Sequence, residues 1–194
     1  MQAEVPGSTP PAEVDLAQYP LAKKLLQRCQ DFFSEVENLT PGQPLEAHLN
    51  KTYGPGHPIY EDLCTLTLAG FHEGWLANTP ITGPNYRRSK LALPSESTRY
   101  FSITAVYVDA RDQDVFSGQH HSHPYGEINC VVVIDEGAEL RGMKGWQGKG
   151  WTAPGPGTHH YPQFRGGRLI SLFFLPAGRI SYSADPEDPQ PASV

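Results

Sequence analysis

Gly118-Gln119-His120-His121-Ser122-His123-Pro124-Tyr125-Gly126-Glu127 packs three histidines and a carboxylate into ten residues. On a strand, residues two apart point to the same face. His121 and His123 can therefore aim two imidazoles into one cavity, while His120 points away and is left out of the ligand set. Pro124-Tyr125-Gly126 supplies a bend that returns Glu127 to that cavity. Two imidazoles and a carboxylate suit Fe(II), Mn(II), Ni(II) or Zn(II), and leave coordination positions for water and substrate. Tyr125 lies between two proposed ligands and joins the candidate site.

A second cluster follows at Pro154-Gly155-Pro156-Gly157-Thr158-His159-His160. Its glycine–proline turn is expected to bring a strand back across the first, adding a third imidazole from His159 or His160. Five of the chain's eight histidines fall in these two clusters.

Around them the texture is that of a β-protein. From about Thr79 onward glycine and proline are frequent and long helical patterns are absent. Thr98–Val108 reads as a strand with Phe101, Ile103, Ala105 and Tyr107 on one face. Ile128–Ile134 is a near-continuous apolar run, as in a strand covered on both sides. Arg168–Leu175, opened by Gly166-Gly167, reads as another strand. Short strands with turn residues between them predict a sandwich or barrel over residues 79–184.

Ahead of the barrel, residues 18–78 read as helical. Pro20 suits a first helical turn, and Leu21, Leu25, Cys29, Phe32, Phe33 and Val36 recur at helical spacing until Thr40-Pro41-Gly42. A second helix is expected over Pro44–Thr52 and a third from Pro58 to Ala69, although Cys64–Leu68 also alternates like a strand. The apolar stripe through Leu25, Phe32 and Phe33 must be covered. It either caps the barrel or forms the contact of a homodimer. Residues 1–17, with three prolines, are expected to form a flexible arm, and residues 185–194 a flexible tail.

The charge balance excludes several partners. Fifteen basic residues face twenty-one acidic ones, without a cationic stripe. Neither nucleic acid nor an anionic membrane surface is an expected partner. The sequence lacks a signal-peptide pattern and an apolar run of about 20 residues, so the cytoplasm is the expected compartment. Cys29, Cys64 and Cys130 have neither metal nor disulfide spacing and read as small buried hydrophobes.

His121-Ser122-His123 with Glu127, and Gly157-Thr158-His159-His160, resemble the two metal-binding motifs of the cupin superfamily. The resemblance implies a cupin-type β-barrel (a jelly roll), mainly β with an α-helical N-terminal part. It also implies a divalent metal on His121, His123, Glu127 and His160, selecting His160 over His159. Gly142-Met143-Lys144-Gly145-Trp146-Gln147-Gly148, Gly150-Trp151-Thr152-Ala153-Pro154 and Leu172–Tyr182 resemble the 4-hydroxylaminobenzoate lyase family, over about residues 20–183.

That resemblance implies conversion of 4-hydroxylaminobenzoate and water to 3,4-dihydroxybenzoate and ammonia. Glu127, Tyr125 and His160 would be its catalytic candidates, with Glu127 either a ligand or a free proton shuttle. The substrate carboxylate calls for a guanidinium, with Arg87, Arg88, Arg168 and Arg179 as candidates. The ring calls for apolar walls, with Trp75, Trp151 and Tyr161 available. The same ligand set would also serve an Fe(II)-dependent dioxygenase acting on a small aromatic substrate, or a non-catalytic small-molecule-binding cupin.

Overall fold

The structure is a computed structural model that describes residues 10–192. Pro20 opens α1 (Pro20–Glu35) at a position whose missing N–H is no loss. Leu25, Cys29, Phe32 and Phe33 form its buried stripe. The end of α1 is closed from a distance: the Arg99 guanidinium donates to the carbonyls of Phe33 and Val36, at 2.7 and 3.0 Å. α2 (Gln43–Thr52) and α3 (Pro58–His72) follow, so the ambiguous Cys64–Leu68 segment is helical.

The strands are β1 (Ala12–Glu13), β2 (Thr79–Gly83), β3 (Tyr86–Ala92), β4 (Phe101–Asp109), β5 (Phe116–Ser117), β6 (His121–Ser122) and β7 (Ile128–Val133). They continue with β8 (Glu139–Gly142), β9 (Gly145–Gln147), β10 (Gly150–Thr152), β11 (His159–His160), β12 (Gln163–Arg165) and β13 (Arg168–Pro176). The large sheet runs β1-β3-β4-β13-β7-β10, with β2 also on β3; the smaller runs β5-β12-β8-β9; β6 and β11 pair by themselves. β4 starts later than the sequence suggests, because Glu96–Thr98 forms a short 3-10 turn held by Ser95 and Thr98.

Strand alternation sorts the two faces of the large sheet. Ile103, Ala105, Ile128, Cys130, Ile170, Leu172 and Phe174 pack with Phe32 and Phe33 of α1 in one core. Val106, Val108, Val131 and Leu169 point the other way and pack against Leu140 and Phe164 of the smaller sheet. This is the jelly-roll layering of a cupin, mainly β behind three helices, with its sheets left open rather than closed. The helical stripe is thus covered within the chain and no longer argues for a homodimer.

α2 also protects an edge. Asn50 pairs with the backbone of Trp151, donating to its carbonyl at 2.8 Å and accepting from its N–H at 2.9 Å, and Glu46 accepts from Ala153 N–H at 2.8 Å. These contacts satisfy groups that the edge strand β10 would leave open. Within the expected N-terminal arm, Ala12 and Glu13 pair in parallel with Ser89 and Lys90; residues 1–9 lie outside the described residues. In the expected tail, Gln190 exchanges hydrogen bonds with the backbone of His159. The three cysteines are free, and buried or half-buried. Among the described residues, no helix is long and apolar enough to cross a membrane.

Candidate metal centre and cavity

β6 and β11 pair antiparallel, with His121 directly opposite His160 and Ser122 opposite His159. Directly opposed residues share a face. The pairing continues past the strands: His123 N–H donates to Thr158 O at 2.8 Å and Gly157 N–H to His123 O at 2.7 Å. Parity therefore divides the five histidines. His121, His123 and His160 turn inward, and their nearest ring nitrogens lie within 4.8 Å of one another. His120 and His159 turn outward and bond to each other, Nε2 to Nδ1, at 3.0 Å.

The bend after His123 needs a glycine. Gly126 has φ 83°, and a Cβ there would meet Pro41 Cβ at 2.4 Å. Glu127 then re-enters with its N–H on Pro154 O at 2.9 Å. Its Oε1 lies 3.8 Å from His123 Nε2 and accepts a 2.8 Å bond from Asn129 Nδ2. Ser171 Oγ donates to Asn129 Oδ1 at 2.7 Å, which fixes the amide so that its NH2 faces the carboxylate.

Two of the three inward imidazoles, His121 and His123, are held in one tautomer. Thr158 spends its single hydroxyl proton on Gly155 O at 2.7 Å, so it accepts from His123 Nδ1–H at 3.0 Å. His121 Nδ1–H donates to Gln119 O at 3.1 Å. Both Nε2 atoms therefore carry lone pairs, and these face each other only 3.1 Å apart. Burial pushes His121 down to about 4 and His160 to about 3, and His123 also falls well below the usual imidazole range. Three neutral, converging imidazoles, with His121 and His123 anchored through Nδ1, fit a transition metal ion. Burial raises the Glu127 carboxyl to about 7, against the pull of the Asn129 amide.

The histidines open onto a cavity between the sheets. Its wall includes Val106, Phe173, Leu140 and Phe164, with Arg88, Tyr86 and Tyr182. Tyr182 is brought there by Ser181, which exchanges backbone hydrogen bonds with Ser122 at 2.7 and 3.0 Å. Its ring lies 6.0 Å from that of His121, and its hydroxyl is a hydrogen-bond partner of Arg88.

Of the residues singled out from the sequence, Arg88, His121, Glu127 and His160 lie on this wall, with His123 beside them. The others lie elsewhere. Arg87, one residue from Arg88, faces the helices and stacks over Phe71 and Tyr107 at 5.2 and 4.5 Å. Arg168 forks onto Asp135 at 2.7 and 2.8 Å. Arg179 is exposed. Trp75 is buried beside Gly70, and Trp151 stacks on Phe32 at 4.8 Å in the helix-side core. Tyr125 is 54% exposed at the tip of the bend, and Tyr161 packs on the outward His120.

Asn129, Ser171, Thr158, Tyr86 and Tyr182 were not anticipated. Asn129 and Ser171 did carry a signal: each is a polar residue inside an otherwise apolar strand.

An open jelly roll with a buried inward histidine triad defines the chain as a cupin-type protein with a candidate metal centre. The family model described as 4-hydroxylaminobenzoate lyase (PnbB) matches residues 27–182. A protein from Nocardioides sp. (strain LMS-CY), named 4-hydroxylaminobenzoate lyase, is 55% identical over 155 residues, 80% of this chain and 90% of that one. A protein of the same name from Pseudomonas putida is 52% identical over 165 residues, 82% of this chain and 94% of that one. The chain belongs to the 4-hydroxylaminobenzoate lyase family. Among solved structures it is similar to an RmlC-like cupin protein from Ralstonia eutropha JMP134 (19% identity, 62% of this chain and 72% of that one, TM-score 0.42). It is also similar to the DMSP lyase DddQ from Ruegeria pomeroyi DSS-3 (17% identity, 88% and 94%, TM-score 0.41).

Proposed function

We propose that this chain is a metal-dependent 4-hydroxylaminobenzoate lyase. It would convert 4-hydroxylaminobenzoate and water to 3,4-dihydroxybenzoate and ammonia. The observation that carries the metal dependence is the pair of Nε2 lone pairs, 3.1 Å apart, at the floor of a largely apolar cavity. Family membership carries the reaction.

His121, His123 and His160 would hold a first-row divalent ion, with Glu127 as a fourth ligand or as a free acid beside it. Such an ion supplies Lewis acidity toward an oxygen of the substrate or of water. The reaction has no net redox change. The N–O bond breaks and its oxygen leaves as water; one water adds to the ring carbon beside the nitrogen; a second hydrolyses the resulting imine and frees ammonia.

A proton is therefore needed at the departing oxygen, and one must be taken from incoming water. Glu127, buried beside His123, is the carboxyl placed for both transfers when it stays free of the ion. The Asn129 amide holds Oε1, which leaves Oε2 as the proton-carrying atom.

The test is an oxygen-free assay on 4-hydroxylaminobenzoate with purified protein, with product identified by mass and metal content by elemental analysis. Protocatechuate and ammonia should form in equal amounts without oxygen, with about one metal per chain. A requirement for oxygen would overturn the lyase reading in favour of a dioxygenase. Full activity in metal-free protein would overturn the metal dependence alone.

A further inference from the structure

We propose that Arg88, together with Tyr182 and Tyr86, is the carboxylate-binding end of the cavity, and that this enzyme selects arylhydroxylamines by their negative charge. The inference rests on the lyase reading and adds the orientation and class of the substrate.

Strand parity on β3 places Tyr86 and Arg88 on the inner face and Arg87 on the helix face. The register agrees: Tyr86 lies opposite Val108 and Arg88 opposite Val106, both inward-facing valines. Tyr182 arrives from the other direction, after β13, and bonds to Arg88. Three polar groups from two distant segments thus meet on the wall that also carries Val106, Phe173 and Phe164. Burial raises both phenols above their usual range, so both keep their protons and can donate.

A guanidinium flanked by two phenolic donors matches a carboxylate, and such a charge-assisted pair gains strength where water is excluded. Tyr182 also fixes the direction of the bound molecule. It touches Arg88 through its hydroxyl and lies beside His121 with its ring. A benzoate seated on Arg88 therefore lies along Tyr182 and presents its para substituent to His121 and Glu127. That is the position the reacting nitrogen must take.

The competing cation is Arg141. It lies on the same cavity, but it is exposed at the rim and donates to Gln163 Oε1 at 2.7 Å.

The experiment compares 4-hydroxylaminobenzoate with its uncharged methyl ester in wild type, Arg88→Gln, Tyr182→Phe and Arg141→Gln. Arg88→Gln should raise KM for the acid by about 10- to 100-fold, with little change in KM for the ester. Tyr182→Phe should raise KM for the acid by about 3- to 10-fold while kcat changes less. Metal content should match wild type in both. Equal losses on acid and ester in Arg88→Gln, or loss of the acid preference in Arg141→Gln instead, would overturn the proposal. Calorimetry with 3,4-dihydroxybenzoate separates this from failure of the lyase reading. Should wild type bind that acid without turning over the hydroxylamine, the lyase reading fails, and loss of binding in Arg88→Gln still supports the subsite. Unchanged binding in that variant overturns it.

Discussion

Thr158→Val tests whether the orientation of His123 matters to the metal centre. The threonine is fully buried, and its hydroxyl sits between two partners, accepting from His123 Nδ1–H at 3.0 Å and donating to Gly155 O at 2.7 Å. Valine keeps the shape and removes both bonds. His123 is then free to move its proton to Nε2, the atom that faces His121. Losing such an outer partner typically weakens metal binding by about 10- to 100-fold, or roughly 1.4–2.7 kcal/mol. Gly155 O keeps the backbone N–H of residue 158 at 3.2 Å, so the buried His123 Nδ1–H is the group left without a partner, at a stability loss of about 1–3 kcal/mol.

The assay is a Zn(II) titration of metal-stripped protein against a chromophoric chelator, beside a denaturant melt. Nitrogen NMR of the imidazoles reads the tautomer directly. Thr158→Ser should restore affinity, because the hydroxyl returns without the methyl group. Wild-type affinity in Thr158→Val, or equal weakening in Thr158→Ser, would refute the tautomer argument.

Three further outcomes follow from the same geometry. His121→Ala, His123→Ala and His160→Ala should each lose most bound metal by elemental analysis, while His120→Ala and His159→Ala keep most of it, since that pair bonds outward. Gly126→Ala should lower stability by about 2–4 kcal/mol in a denaturant melt, because φ 83° is strained for alanine and its Cβ would strike Pro41. Asp135→Asn should be less stable than wild type at neutral pH, with the gap closing on acidification. The Arg168 fork holds the Asp135 carboxyl down to about 2, so its contribution is complete above about pH 4 and is lost as pH falls through 2. A gap independent of pH in thermal melts would contradict that.

What the sequence revealed tracks the range of the interaction involved. Helix α1 and strand β7 follow from local periodicity, so Leu25, Phe32 and the Ile128–Ile134 run were readable from the sequence. The inward grouping of His121 and His123 is likewise a parity of two. Which neighbour of an Arg-Arg pair faces inward is not readable from the pair. Arg87 and Arg88 are chemically identical, and only their register against Val106 and Tyr107 separates them. Ring size misleads for a different reason. Trp75 and Trp151 suit a ligand wall in composition, yet their area stabilises the helix-side core more. The pairing of Ala12 and Glu13 with β3 joins segments far apart in the chain and left no local pattern.

That division between the faces explains how one sheet carries both stability and a polar site. Phe32, Phe33, Trp151 and Phe174 pack together on the helix side at ring distances of 4.8–5.6 Å. With so much aromatic area buried there, the inner face need not be apolar throughout, and Asn129, Ser171 and Arg88 are tolerated on it. Each replaces a residue that would otherwise have filled the space between the sheets. The cavity is therefore where inner-face packing is given up to polar groups, and α1 to α3 supply the compensating burial on the other side.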